Sequence, residues 1–146
     1  MLLRSFFVLF AILIITSATA FAEQIKPIPV LPGNWHSKVT TMATGLPQPV
    51  VKEETQCVDK TEYNPEEMMP AQEKCNISNV KQKANYLEYD MTCAGGQQMP
   101  PVKAHVVLKH EKKSYEMNME GTSEFQGQKF ESTVQVVGTY KGKCPK

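Results

Sequence analysis

Apolar and polar residues alternate along most of the chain after residue 33, with the period of two that is typical of half-buried β-strands. In VKAHVVLKH, Ala104, Val106 and Leu108 share one face, and lysines and histidines occupy much of the other. About seven such segments are separated by short turns such as GLPQP and EKK. Short turns join antiparallel neighbours, so the pattern predicts an all-β antiparallel meander. We expect it to bury its apolar face by closing into a small barrel-like, lipocalin-like sheet.

One segment departs from this alternation. In NPEEMMPAQ, Asn64 is a candidate N-cap, Pro65 suits the first helical position, and Pro70 ends the element after about a turn and a half. The sequence therefore predicts one short helix between two strands.

The N-terminus has the pattern of a secretory leader. Arg4 precedes an apolar run from Phe6 to Ile15, which is too short for the roughly 20 residues that span a bilayer. Small residues follow, and they predict cleavage before Glu23, so that residues 1–22 are a signal peptide. Residues 23–32 form a Pro-rich extended lead-in, and residues 33–146 form a single β domain. We expect a periplasmic or secreted protein with no integral membrane segment after cleavage.

The charge balance bears on the class of partner. Removal of residues 1–22 from the 146 leaves 124, which carry 15 lysines against 15 acidic residues, and Arg4 is the sole arginine of the chain. Proteins that bind nucleic acid usually have an excess of basic residues, including arginines. The sequence thus indicates no nucleic-acid partner.

The four cysteines of the chain predict two disulfides, because an exported protein encounters an oxidising compartment. Four cysteines allow three pairings, and we favour Cys57–Cys75 with Cys93–Cys144. The first would enclose the short helix, and the second would tie the C-terminal end to a central strand. A zinc site is the alternative, but no two cysteines have C-x-x-C spacing.

Several motifs together resemble a known family. They are the PGNWHSKV start, a strand that ends in Cys57-Val58, the NPEEMM segment, KCNISNV, YDMTC, YEMNMEG and the terminal YKGKC. This arrangement, over about residues 32–144, resembles the bacterial secreted family named domain of unknown function 3617. Asn34 stands where that family usually has an apolar residue. The resemblance implies a periplasmic, cysteine-bridged β protein and no established activity.

Large side chains on the predicted inner face are candidates for contact with a ligand. They are Trp35, Tyr89, Met91, Met117, Met119, Phe130 and Tyr140. Barrels of about eight strands either fill their interior with side chains or hold one small ligand. For a domain of this size a filled interior is favoured, since stability requires the buried apolar area.

Metal binding is an alternative that rests on methionine and histidine. The strand methionines Met42, Met91, Met117 and Met119 carry thioethers, which suit Cu(I). His36, His105 and His110 have no ligand-like spacing, and inward methionines normally fill irregular core space. Core packing is therefore the favoured role, and we predict no metal site or cofactor.

The sequence contains no catalytic constellation, neither a G-x-S-x-G elbow nor a cysteine expected to remain reduced. We therefore expect a non-catalytic binding or envelope-associated module for a small apolar ligand or an envelope partner. A periplasmic copper-handling protein that uses Met and His is the alternative.

Overall fold

A computed structural model describes residues 25–68, 75–95 and 100–145. The predicted signal peptide lies outside these residues. A seven-stranded antiparallel sheet dominates the fold, and two two-residue strands form a separate small ladder. The strands are β1 Ile28–Pro29, β2 Gly33–Ala43, β3 Val50–Val58, β4 Glu62–Tyr63, β5 Cys75–Lys83, β6 Tyr86–Cys93, β7 Val102–Glu111, β8 Ser114–Phe125 and β9 Gln128–Gly142.

The sheet is a meander in which β9 returns to pair with β2, giving the order β3-β2-β9-β8-β7-β6-β5. One face, here called the inner face, carries the apolar residues of each alternating strand. On β6 and β7 it buries Leu87, Tyr89, Val106 and Leu108 almost completely. The predicted antiparallel sheet with one buried side is therefore confirmed.

The predicted closure into a barrel is wrong. Strands β3 and β5 are the two ends of the sheet and do not pair with each other. On the inner side of β3 lie Lys52, Glu54 and Gln56, opposite Val39, Ser37 and Trp35 of β2. Charged side chains that point inward resist burial in a barrel interior and discourage further strand pairing. The polar inner side of β3 thus favours an open edge.

The other edge is irregular. The β5–β6 register shifts between Ser78 and Lys81, and Asn79 adopts a left-handed conformation with φ 55° within this bulge. Bulges strengthen the local twist and turn an edge away from further pairing. Both edges therefore have a local feature that opposes closure.

The Pro-rich lead-in packs onto the sheet. Ile25 and Ile28 are buried against Leu87 and Val106 on the inner face. The backbone N–H of Lys26 donates to Gln82 Oε1, and Gln82 Nε2 donates to the Lys26 carbonyl, both at 2.9 Å. Strand β1 also pairs with β4. Residues 25–31, called the strap below, therefore cover part of the inner face and are fastened to the edge strand β5.

The short helix is present only as a single 3₁₀ turn, Pro65–Met68. The Glu67 N–H donates to the Asn64 carbonyl at 2.9 Å, three residues back. Runs this short favour three-residue hydrogen bonding over an α-helical turn. Residues 69–74, where the predicted helix would end, lie outside the described residues. Within the part of the chain that the structure describes, no helix is long and apolar enough to cross a membrane.

Both predicted disulfide pairings are wrong. The structure pairs Cys75 with Cys93, the hairpin disulfide, and Cys57 with Cys144, the long-range disulfide. Cys75 and Cys93 lie directly opposite each other on β5 and β6. Asn34 on β2 pairs with Cys57 on one side and with Gly142 on the other, which brings Cys144 close to Cys57. Sheet topology, rather than proximity along the chain, determines the pairing.

Candidate ligand-binding cavity

A cavity of ≈ 390 Å³ lies between the strap and the inner face of the sheet. Its floor comes from β6 to β9, and its roof comes from the strap with Tyr63 and Pro65. The floor residues are Leu87, Tyr89, Val106, Leu108, Met117 and Val136. Residues of β2 and β3 line the same space, so the open sheet curves around it. In this part of the molecule the structure therefore leaves a pocket, the second of the two alternatives for the interior.

Aromatic side chains form a wall where β2, β8 and β9 meet. The ring of Trp35 lies 5.7 Å from that of Tyr115 and 5.6 Å from that of Tyr140, between centroids. Trp35 Nε1 donates to the Leu31 carbonyl at 2.9 Å, and Ser37 Oγ shares a hydrogen bond of 2.8 Å with the Tyr115 hydroxyl. The polar atoms of the Trp35, Ser37 and Tyr115 side chains therefore have hydrogen-bond partners within the wall.

Two tyrosine hydroxyls at the cavity have no such partner. Tyr63 and Tyr89 both line it, and neither hydroxyl makes a hydrogen bond to any described residue. Burial, together with the neighbouring Tyr89 and Tyr115, raises the pKa of Tyr63 to about 12, and burial also raises the pKa of Tyr89. Both phenols are therefore neutral donors at neutral pH. Tyr89 is buried and Tyr63 is half-buried. Buried tyrosine hydroxyls usually have a partner, so the Tyr89 hydroxyl in particular is available to an acceptor atom on a ligand.

Polar and charged groups line the cavity's remaining boundary. They are Glu54, Gln56, Lys60, Glu62, His110, Glu111, Lys112 and Ser114. Partial burial lowers the pKa of His110, so this imidazole is neutral at neutral pH. A second groove shares Ile28, Pro29 and His110 with the cavity and is also lined by Lys26 and Lys83. A polar groove therefore adjoins the apolar cavity beside the strap.

The predicted ligand-contacting residues do not all reach the cavity. Trp35, Tyr89 and Met117 line it. Tyr140 contacts the Trp35 ring. Met91 and Met119 pack against the core beside it. Phe130 lies on the inner side of β9 but is 37% exposed at the far end of the strand, away from the cavity.

Sequence reasoning did not identify the roof. Ile28 and Leu31 lie in a segment whose prolines indicated only a lead-in, and Tyr63 lies in a two-residue strand too short for any periodicity. The spacing of apolar residues among the prolines, at Ile25, Ile28 and Leu31, was the available signal.

The histidines and methionines are not gathered around a common point. His36 and His105 lie on the outer face, where their Nδ1 atoms contact Thr55 and Asp90, whereas His110 lines the cavity. Met91, Met117 and Met119 pack against the core, and Met42 is exposed. The described residues contain no group of three or more His, Cys, Asp or Glu that could hold a metal ion. Nothing in this arrangement favours copper handling.

One polar cluster on the outer face involves a histidine. Asp90 accepts hydrogen bonds from His105 Nδ1 and from Asn79 Nδ2, both at 2.7 Å, and these bonds lower the pKa of Asp90. No hydroxyl or thiol of the described residues is hydrogen-bonded to His105. The cluster fastens the β5 bulge to β6 and β7, and it lacks the adjacent nucleophile of a catalytic triad.

Comparison with known proteins identifies a family. The model of a family described as protein of unknown function, DUF3617, matches residues 30–144. No curated protein and no solved structure gives a significant match. The match begins within the strap and ends at the cysteine of the long-range disulfide.

Proposed function

We propose that this chain, which belongs to the DUF3617 family of proteins of unknown function, is an exported, non-catalytic module that binds a small apolar ligand between the strap and the sheet. The observation that carries the proposal is an apolar cavity lined by two tyrosines whose hydroxyls have no hydrogen-bond partner among the described residues.

The cavity has the properties of a small-molecule site. Its volume of ≈ 390 Å³ lies in the range of about 300–1,000 Å³ for ligand pockets. Each Å² of apolar surface that a ligand buries there contributes about 25 cal/mol. The hydroxyls of Tyr63 and Tyr89 would donate to a carbonyl, ether or hydroxyl oxygen and orient the ligand.

Binding rather than catalysis is supported by three titratable side chains at the cavity, because the described residues provide no partners that would orient them. His110 makes no hydrogen bond through its ring to any described residue, and Glu62 and Glu111 form no ion pair with any of them. General acid–base catalysis requires such groups to be oriented towards the reacting atom. The walls provide a shape and two hydrogen-bond donors, which suffice for binding.

Export is supported by the cysteines. All four form disulfides, which form and persist in oxidising compartments. The proposal includes a leader cut before Glu23 and a periplasmic location. N-terminal sequencing of the exported protein is expected to begin at Glu23, and a retained Met1 would contradict this part of the proposal.

Binding can be tested with N-phenyl-1-naphthylamine, a neutral dye that fluoresces in apolar surroundings. Val136 lines the cavity, whereas its neighbour Val137 is exposed on the outer face. The matched variants Val136→Phe and Val137→Phe add the same ring inside and outside the cavity. We expect Val136→Phe to weaken dye binding at least about tenfold, because the added ring competes for the ligand's space, whereas Val137→Phe binds as wild type does.

Equal dye affinity in both variants would mean that the dye binds outside the cavity. If the wild type did not bind the dye at all, the proposal would be overturned. Native mass spectrometry of the exported protein supplies an independent check. An additional mass that is released on denaturation is expected, and its value would give the mass of the natural ligand.

A further inference from the structure

Charge is distributed unevenly between the two ends of the sheet. At one end lie the β5–β6 and β7–β8 turns, the β3–β4 connection and the end of β9. They carry Lys60, Lys83, Lys109, Lys112, Lys113, Lys141 and Lys143 against Asp59, Glu62, Glu111 and Glu116. At the opposite end, the β2–β3 turn has no charged residue, and Glu124 and Lys129 flank the β8–β9 turn. Lysines therefore outnumber carboxylates at the first end, called the cationic end below, although the whole chain has a formal net charge of +1.

The cavity reaches this cationic end. His110, Glu111 and Lys112 of the β7–β8 hairpin line the cavity. The groove that adjoins it at Ile28 and His110 is lined by Lys26 and Lys83. The apolar cavity and the lysine-lined groove are thus adjacent, and the residues common to their linings are Ile28, Pro29 and His110.

Lys26 and Lys83 both line the groove, Lys26 from the strap and Lys83 from the end of β5. Gln82 exchanges two hydrogen bonds with the main chain of Lys26, and Lys83 is the next residue on β5. Both lysines are exposed, and neither has a carboxylate within 4 Å among the described residues. A surface lysine gains most from an anion when no carboxylate already neutralises it.

We propose that the ligand is an anionic amphiphile, with its hydrocarbon part in the cavity and its negatively charged head group at Lys26, Lys83 and Lys112. This inference rests on the proposed function and adds the charge of the ligand to it. A carboxylate or a phosphate satisfies the same lysines, so a fatty acid and a lysophospholipid share the required chemistry. The field of the cationic end would also steer such anions towards the opening.

The test is competition against N-phenyl-1-naphthylamine bound to the full exported chain. Oleate and oleyl alcohol have the same hydrocarbon chain and differ in charge, and oleoyl lysophosphatidic acid provides the phosphate. All are used below their critical micelle concentrations. We expect oleate to displace the dye at about a tenfold lower concentration than oleyl alcohol, with an advantage that shrinks as salt is added.

Two charge-reversal variants isolate the lysines. Lys26→Glu with Lys83→Glu alters the groove, whereas Lys38→Glu with Lys103→Glu makes the same change in net charge on the outer face. We expect the first variant to lose about tenfold in oleate affinity while its affinities for the dye and for oleyl alcohol remain unchanged. The second variant should bind oleate as the wild type does.

The outcomes separate this inference from the proposed function. If the dye binds but oleate and oleyl alcohol compete equally, the anionic head group is refuted. The same holds if both charge-reversal variants lose the same factor in oleate affinity. In either case the proposal of an apolar ligand in the cavity is retained. If the dye does not bind, both proposals fail. Stronger competition by lysophosphatidic acid than by oleate would support a phosphate head group, and the reverse order would support a carboxylate.

Discussion

Gly138 lies under the ring of Tyr115, and replacing it with alanine tests the packing of the aromatic wall. An ideal Cβ at residue 138 would overlap the Tyr115 ring. The ring therefore has to move, although it is held by a 2.8 Å hydrogen bond to Ser37 and by contact with Trp35 at 5.7 Å. The clash arises between a fixed strand backbone and a half-buried side chain, so neither partner can yield freely.

The magnitude follows from the interactions that are strained or lost. Overpacking costs about 1–3 kcal/mol, a hydrogen bond contributes about 0.5–1.5 kcal/mol, and an aromatic pair contributes about 0.5–1.5 kcal/mol. Partial relaxation retains some of each. We expect Gly138→Ala to lower the free energy of unfolding by about 3 kcal/mol, measured by urea denaturation with the disulfides intact.

A double-mutant cycle isolates the cause. In a Tyr115→Ala background no ring opposes the new methyl group, and Gly138→Ala should then be neutral or stabilise by up to about 1 kcal/mol, because alanine is better tolerated than glycine within a strand. The reasoning is refuted if Gly138→Ala costs less than about 0.5 kcal/mol in the wild type. It is also refuted if the cost persists in the Tyr115→Ala background.

Three further predictions use other parts of the fold. Replacing both cysteines of the long-range disulfide with serine should lower the free energy of unfolding by about 4.5 kcal/mol, against about 3 kcal/mol for the hairpin disulfide, because the closed loops span 87 and 18 residues. If urea denaturation showed the larger loss for the hairpin disulfide, the loop-closure explanation would be contradicted. In a titration of phenolate absorbance, Tyr63 should ionise near pH 12, and Tyr63→Phe should remove that late step. Because the pKa of Tyr63 is raised in the folded state, this residue contributes stability that is lost as the pH rises from about 10 through 12. The pKa of Asp90 is lowered in the folded state, so its contribution to stability is present above the unfolded pKa of about 4 and is lost as the pH falls below it. Asp90→Asn should therefore weaken the dependence of stability on pH in the acid range. An unchanged dependence would show that the hydrogen bonds to Asn79 and His105 contribute nothing to stability.

The sequence predicted the sheet well where alternation was strong. On β6 and β7 the predicted inner residues, such as Tyr89 and Val106, are the buried ones. There the apolar period of two and the two-residue turn at Ala84-Asn85 both favour the same register. Short turns of this kind are enough to predict that the two strands they join are antiparallel neighbours.

The remaining features depend on long-range geometry. Whether the sheet closes depends on the inner sides of β3 and β5, and the significance of Glu54 becomes visible only when it is placed opposite Ser37. The hairpin disulfide was accessible in principle, since Cys75 and Cys93 are almost symmetric about the Ala84-Asn85 turn. The long-range disulfide was not, because it requires knowing that β9 returns to β2.

The roof of the cavity was missed for a different reason. The strap is buried by contacts with residues more than fifty positions away, and its prolines conceal any strand pattern. Tyr63 acquires its role only when β4 pairs with β1. Local propensity contains no information on either contact.

The pairing of β2 with β9 also governs when the domain can fold. Asn34 and Gly142, near the two ends of the described chain, are register partners across β2 and β9, and β2 separates β9 from β3. During synthesis, β2 and β3 can form only a hairpin, which is marginally stable alone, until the last strand emerges. The strap likewise has no floor until β6 and β7 have emerged. Completion of the sheet is therefore expected to be late and slow, as for sheets built from distant contacts.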